Sequence, residues 1–176
     1  LASHLASPAR ILVVAGFMKP DNNLSLMLRE LARRPNIVVM QEAQSCLHGC
    51  GDFITNIDSS LRCAGDDGNL VPDIMIKFGG SLTSASLKSY LRRLPDTTEH
   101  WSISQCRRSV DTFRRLARII PCDEYAFLSK ICCCLPALGS DNPSPFKTAW
   151  LKASERAKEL TAASLDAIPW SDFKAM

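Results

Sequence analysis

A chain of 176 residues has the size of one domain with a sizeable core of its own. Hydrophobic residues at 46% and charged residues at 22% are globular proportions, and a formal charge of +3 is too small to imply nucleic acid or a membrane surface as partner. No apolar run approaches the roughly 18 residues of a membrane span, and the opening LASHLASPAR lacks the basic-then-apolar order of a signal peptide. Because the first residue is leucine, a segment of something longer is expected. Eight cysteines invite a disulfide framework. Cys132, Cys133 and Cys134, however, are consecutive in an apolar helical run, where they read as small buried hydrophobes, and a chain of this length needs no staples. The expectation is a reduced, cytoplasmic protein.

Ile11 to Gly16 predicts the first strand, and Asp21 is placed to cap a helix with Leu24, Met27, Leu28 and Leu31 on one face. Pro35-Asn36 stops that helix, and Ile37 to Glu42 predicts a second strand, which makes a strand–helix–strand crossover. A loop, AQSCLHGCGD, leads to a short helix with Phe53, Ile54, Ile57 and Leu61 inward. The apolar run Ile74 to Phe78 suits a strand buried on both faces. Its helix carries Leu87, Tyr90, Leu91 and Leu94 on the apolar face, with Lys88, Arg92 and Arg93 outside. His100 to Ser104 predicts a further strand, Leu116 to Ile120 another whose arginines blur the pattern, and Asp123 caps a helix through Leu135. The fold class is α/β, a doubly wound, mostly parallel sheet of five to six strands flanked by helices. Residues 1–135 form the central domain, 136–145 a flexible loop rich in proline, glycine and serine, and 146–176 a linker helix with few apolar residues.

The stretch Pro72 to Ser84 organises the functional reading. Gly79-Gly80 lets the chain turn sharply and lets another group approach the backbone. Ser81, Thr83 and Ser84 stand where the next helix begins, and the free N–H groups there favour anions. In open α/β sheets, ligands bind outside the carboxyl ends of the strands. An N-capped strand–helix connection accounts for the same residues; both readings stand at this point. Cys46, His48 and Cys50 are zinc-ligand types, but their alternate spacing matches no established site, and no metal is assigned. No G-x-S-x-G elbow, dinucleotide fingerprint or Walker loop is present. Arg107, Arg108, Arg114, Arg115 and Arg118 form the most basic stretch, either an anion site or a solvated edge; Arg107, Arg114 and Arg115 are the anion-binding candidates.

Several phrases together resemble one family. VVAGFMKPDNNLSLMLRELARRPNIVV, the segment from Ser45 to Asp58, VPDIMIKFGGSLTSASLKSYLRRLPDTTEHW, SPFKTAWLKASERA and PWSDFKAM are similar to 2-succinyl-5-enolpyruvyl-6-hydroxy-3-cyclohexene-1-carboxylate synthase (MenD), closest to its Bacteroidetes form. The resemblance implies the middle domain of a three-domain thiamine diphosphate enzyme of menaquinone biosynthesis. That family decarboxylates 2-oxoglutarate and adds the succinyl unit to isochorismate. Its cofactor-activating glutamate lies in the amino-terminal domain and its metal–diphosphate site, with Mg or Mn, in the carboxyl-terminal domain. This stretch is accordingly expected to bind no cofactor and to be inactive alone, as the scaffold of the other two domains in a homo-oligomeric parent. Gly65 to Asn69, GDDGN, has the look of the diphosphate motif but precedes a strand and reads as a surface turn. His48, Ser81 and Thr83 match the family pattern and are the expected substrate-proximal residues. The family's cation after the glycine turn is Ala85 here, with Lys88 one helical turn on, and Cys46 replaces its asparagine. Two other classes are carried: a freestanding nucleotide- or FAD-binding module, and a regulatory anion-binding domain.

Overall fold

The structure is a computed structural model that describes residues 9–47, 53–65, 68–106, 111–134 and 142–169. Six strands, β1 (Ile11–Ala15), β2 (Ile37–Gln41), β3 (Phe53–Ile54), β4 (Ile74–Phe78), β5 (Glu99–Ile103) and β6 (Leu116–Ile120), alternate with helices α1 (Asn22–Ala32), α2 (Ile57–Ala64), α3 (Ala85–Arg93), α4 (Glu124–Cys134) and α5 (Pro145–Ala167). All the strands are parallel, in the order β3-β2-β1-β4-β5-β6. Winding runs outward from β1 to one edge, then returns to β4 and runs to the other. β1 and β4 therefore lie side by side with their following turns diverging, which is the topological switch point of a doubly wound sheet. In register, Ile11 faces both Ile37 and Ile74, and Ala15 faces both Gln41 and Phe78.

Every residue of β1 and β2 is buried, as a parallel sheet covered on both faces requires. One face carries Val13, Val39, Ile76 and Trp101 under Leu24 and Leu28 of α1 and Leu128 and Ile131 of α4. The other carries Val14, Met40 and Met75 under Ile57 of α2, Leu87 and Leu91 of α3, and Phe146 and Trp150 of α5. Asp21 caps α1 as its sequence position implies, accepting the Leu24 N–H at 2.9 Å. The arginine that blurs β6 has a structural use: the Arg118 guanidinium lies 5.5 Å from the centre of the buried Trp101 ring and 3.7 Å from Glu99.

Three sequence expectations are corrected. Phe53 and Ile54 are not in a helix; they form the edge strand β3, paired with Val39 and Met40, and the helix starts at Ile57. Two buried residues are too few to show a period of two, so the pair merges with the helical pattern behind it. Cys133 and Cys134 are exposed, and Cys132 is half-buried. Successive helical residues are turned by about 100°, so three in a row cannot all face one core; Phe127, Leu128 and Ile131 take that face of α4 instead.

The third concerns the apolar face of α5, whose first half packs on the sheet. Ser144 caps it, Pro145 occupies its first turn, and Phe146, Lys147, Trp150, Ala153, Ser154 and Ala157 are buried. The Trp150 indole N–H donates to the Leu70 carbonyl at 3.2 Å, and the Tyr90 hydroxyl donates to the same oxygen at 2.7 Å. Lys147 reaches the carbonyls of Ala32 and Arg34, where α1 ends, so its charge meets the negative end of that helix. Counting only large apolar residues misses the two alanines and the buried lysine. Beyond Ala157 the expectation of a poor apolar face holds: residues 158–164 are exposed.

Candidate functional site

The switch point is filled by the chain's own backbone. Gly16 after β1 and Gly79-Gly80 after β4 interlock. The Gly16 N–H donates to the Phe78 carbonyl at 3.0 Å, the Gly80 N–H to Phe17 at 2.6 Å and the Phe17 N–H to Ser81 at 3.3 Å. A Cβ added to Gly16 would collide with the Gly80 carbonyl oxygen. Gly79 has φ +73, a conformation that L side chains rarely adopt. These glycines let two strand ends lock together and leave no room for a ligand's pyrophosphate between them.

The amino end of α3 is filled too. Glu42, immediately after β2 and 6% exposed, accepts the Thr83 N–H (2.7 Å to Oε2) and the Ser84 N–H (2.7 Å to Oε1). This is the carboxylate-at-helix-start arrangement that an incoming anion would otherwise adopt. Ser84 completes the cap by accepting the Leu87 N–H at 2.9 Å and donating its hydroxyl to Asp58 at 2.7 Å. Hydrogen bonds from Ser86 and Ser84 hold the Asp58 carboxyl below its usual range. Gln44 donates to the Thr83 hydroxyl at 2.6 Å. Of the two readings of this turn, anion site and N-cap, the geometry supplies the cap.

Cys46 ends the short helical turn Ala43–Ser45 in the left-handed conformation, φ 52. Asparagine tolerates that region better than other non-glycine residues. Cys46→Asn should therefore raise stability by about 0.5–1 kcal/mol, read as a higher midpoint in urea.

On the other side of the turn an open cleft of about 510 Å³ lies over β5 and the carboxyl end of β4. Its floor is Lys77, His100 and Ser102, and its walls are Lys88 and Arg92 from α3 and Phe113 from the β5–β6 connection. The Lys77 ammonium donates to the Gly79 and Gly80 carbonyls at 3.0 and 2.9 Å, and burial lowers its pKa. His100 is 2% exposed, with neither ring nitrogen hydrogen-bonded among the described residues; its ring leans on Phe113, centroids 5.6 Å apart.

Burial, with Lys77 adding to it and Asp111 opposing, pushes the His100 pKa down to about 4. The unfolded chain takes up that proton near 6.5, so below about 6.5 the unfolded state binds more protons than the folded one. Stability should be flat above that pH and fall by up to about 3 kcal/mol towards pH 4. In His100→Phe this part of the slope should vanish from urea midpoints taken across the range. The lowered carboxyls of Asp58, Asp73 and Asp111 titrate below their ordinary values and act in a more acidic window.

Of the residues singled out in the sequence, Ser81 and Lys88 both line this cleft, whereas Thr83 stands apart from it beside Gln44. Arg115 is held by Asp96 at 2.6 Å, and Arg114 is exposed with φ 59. His48, Cys50, Arg107 and Arg108 lie outside the described residues. Sequence reasoning missed Glu42, Lys77 and His100. The available signal was a charged or titratable residue within or ending an apolar strand, as in IVVMQE, IMIKF and EHWSI.

A six-stranded, all-parallel, doubly wound sheet whose switch point is closed by its own glycines is an α/β domain of the type found at the centre of thiamine diphosphate enzymes. No family model matches the chain. It is 31% identical over 179 residues to the 2-succinyl-5-enolpyruvyl-6-hydroxy-3-cyclohexene-1-carboxylate synthase of Porphyromonas gingivalis, in an alignment covering 99% of this chain and 31% of that protein. Identity to the synthase of the same name from Flavobacterium psychrophilum is 31%, over 93% of this chain and 29% of the relative. For Cytophaga hutchinsonii it is 31%, over 84% and 25%. The chain is thus MenD-like over nearly its whole length, as the sequence resemblance implied, and it spans about a third of the length of the curated relatives it matches.

Proposed function

We propose that this chain is the central domain of a MenD-type synthase and that it scaffolds the two catalytic domains and closes one side of their active site. The observation carrying this reading is the closed switch point. The place where a doubly wound sheet grips a nucleotide is occupied by the Gly16–Gly80 interlock, and the adjoining helix start is occupied by Glu42. A diphosphate does not fit there, and among the described residues no group of His, Cys, Asp and Glu could hold a metal. In this reading the parent decarboxylates 2-oxoglutarate on thiamine diphosphate with Mg or Mn and adds the succinyl unit to isochorismate. The cofactor and metal belong to amino- and carboxyl-terminal domains of the same polypeptide, assembled as a cytoplasmic homo-oligomer.

Residues 1–135 are the scaffold, 136–145 the connection, and 146–176, whose first half packs on the scaffold, lead toward the cofactor domain; the exposed second half of α5 supports that direction. His48, Ser81, Thr83 and Lys88 are the residues nearest the parent's substrates. Among the described residues no helix is long and apolar enough to cross a membrane. Titration calorimetry of the chain with FAD, NAD and ADP should give no nucleotide-specific heat, that is, none beyond what inorganic phosphate gives alone. The chain supplied with thiamine diphosphate, Mg, 2-oxoglutarate and isochorismate should turn over no faster than buffer. Stoichiometric nucleotide binding, or turnover, would overturn the reading.

A further inference from the structure

We infer that the cleft between β4, β5 and α3 is a binding site for a compact oxyanion, a small molecule bearing carboxylate or phosphate. Three independent features converge on it. The space, about 510 Å³, is that of a small-molecule site. Among the described residues its lining contains three cationic side chains, Lys77, Lys88 and Arg92, and no aspartate or glutamate. Cations gathered around one cleft repel one another, with Asp111 beyond the lining a partial offset, and a bound anion relieves that repulsion.

The third feature is His100. It is only 2% exposed, lines the cleft floor, and has both Nδ1 and Nε2 without a partner among the described residues. A buried polar atom left unpaired is costly, and such groups in native proteins ordinarily have a partner. A neutral imidazole offers one donor and one acceptor, and a small turn of the buried ring towards the cleft would bring one of them to an anion oxygen or a ligand hydroxyl. Its neighbours are pre-positioned. Arg92 Nε donates to the Thr112 carbonyl at 3.3 Å, which ties α3 to the far wall. Two donors of the Lys77 ammonium go to the Gly79 and Gly80 carbonyls, and the third remains for the ligand. The charged and titratable groups around the imidazole are Lys77 from β4, Lys88 and Arg92 from α3, and Asp111 from the β5–β6 connection. The site is separate from the capped start of α3, where Glu42 already sits.

The test is a set of amide and histidine-ring NMR titrations of the chain with sodium phosphate and, separately, sodium citrate, at constant ionic strength. Saturable shifts are expected at Gly79, Gly80, Ser102 and the His100 ring, with a dissociation constant in the millimolar range or tighter. Saturation by phosphate alone identifies a phosphate site, by citrate alone a carboxylate site, and by both a general oxyanion site. Lys88→Met with Arg92→Met, both at the rim and compatible with folding, should weaken binding at least about tenfold. His100→Phe should weaken it further while retaining the fold through its contact with Phe113. No saturable shift with either probe, shifts confined to Thr83 and Ser84, or unchanged binding in the double variant would each overturn the inference.

Discussion

Gly16→Ala is expected to lower stability by about 3 kcal/mol, enough to remove much of the margin of a domain this size. The new methyl would be driven into the Gly80 carbonyl oxygen, with the Gly80 carbonyl carbon at 3.2 Å and a Leu82 methyl at 3.4 Å behind it. A flexible side chain could swing aside, but a carbonyl cannot move alone. Gly80 is tied to Phe17 through its N–H, and Phe17 to Ser81, so relief requires parting the ends of β1 and β4. Gly68→Ala is the control, because nothing lies within 4 Å of its Cβ position, and its effect should stay within about 0.5 kcal/mol. Urea denaturation of the two variants beside the parent chain reads the difference. Equal midpoints for Gly16→Ala and Gly68→Ala would mean that the switch point can open, and the nucleotide-module reading would regain its ground.

How much of this was legible in the chain depends on the range of the interaction involved. Asp21, the stripe Leu24-Leu28-Leu31 and the apolar runs of β1, β2 and β4 are local patterns, and each element forms where its residues place it. The crossover of β1, α1 and β2 follows from their lengths. What was hidden is non-local. β3 exists because Phe53 and Ile54 find Val39 and Met40, not because two residues declare a strand. The glycines of the β4 turn signalled close approach of some group, and residue types cannot say that the group is the β1 turn rather than a ligand. Likewise Ser81 and Lys88 were selected for the helix start, yet they line a cleft whose floor, Lys77 and His100, comes from two strands. Alternation on β4 and β5 puts Met75 and Lys77 on the same face as His100 and Ser102. A polar strip assembled from two neighbouring strands is visible only once the register is known.

Glu42→Ala should cost about 3 kcal/mol, and should also create a site that the parent chain lacks. The Glu42 carboxylate receives two backbone N–H groups, those of Thr83 and Ser84. Hydrogen bonds to a charged acceptor contribute about 1.5–3 kcal/mol each, though two sharing one carboxylate do not add in full. Alanine leaves both donors without an acceptor in a part-buried pocket, at the positive end of α3. Glu42→Gln, whose amide oxygen still accepts from one of them, should lose about half as much. Since the vacated space is shaped for a carboxylate, free sulfate or phosphate should enter it. At ten times its dissociation constant an anion restores about 1.4 kcal/mol. The decisive measurement is therefore the difference between sulfate-dependent stabilisation of Glu42→Ala and of the parent chain, in melts at constant ionic strength, with chemical shifts followed at Thr83 and Ser84. An anion gain confined to the variant, with its shifts on those two amides, would mean that the helix start has anion-binding geometry and that Glu42 is the group excluding ligands from it. An identical anion response in both chains would remove Glu42 from that role, and with it half of the argument for a closed switch point.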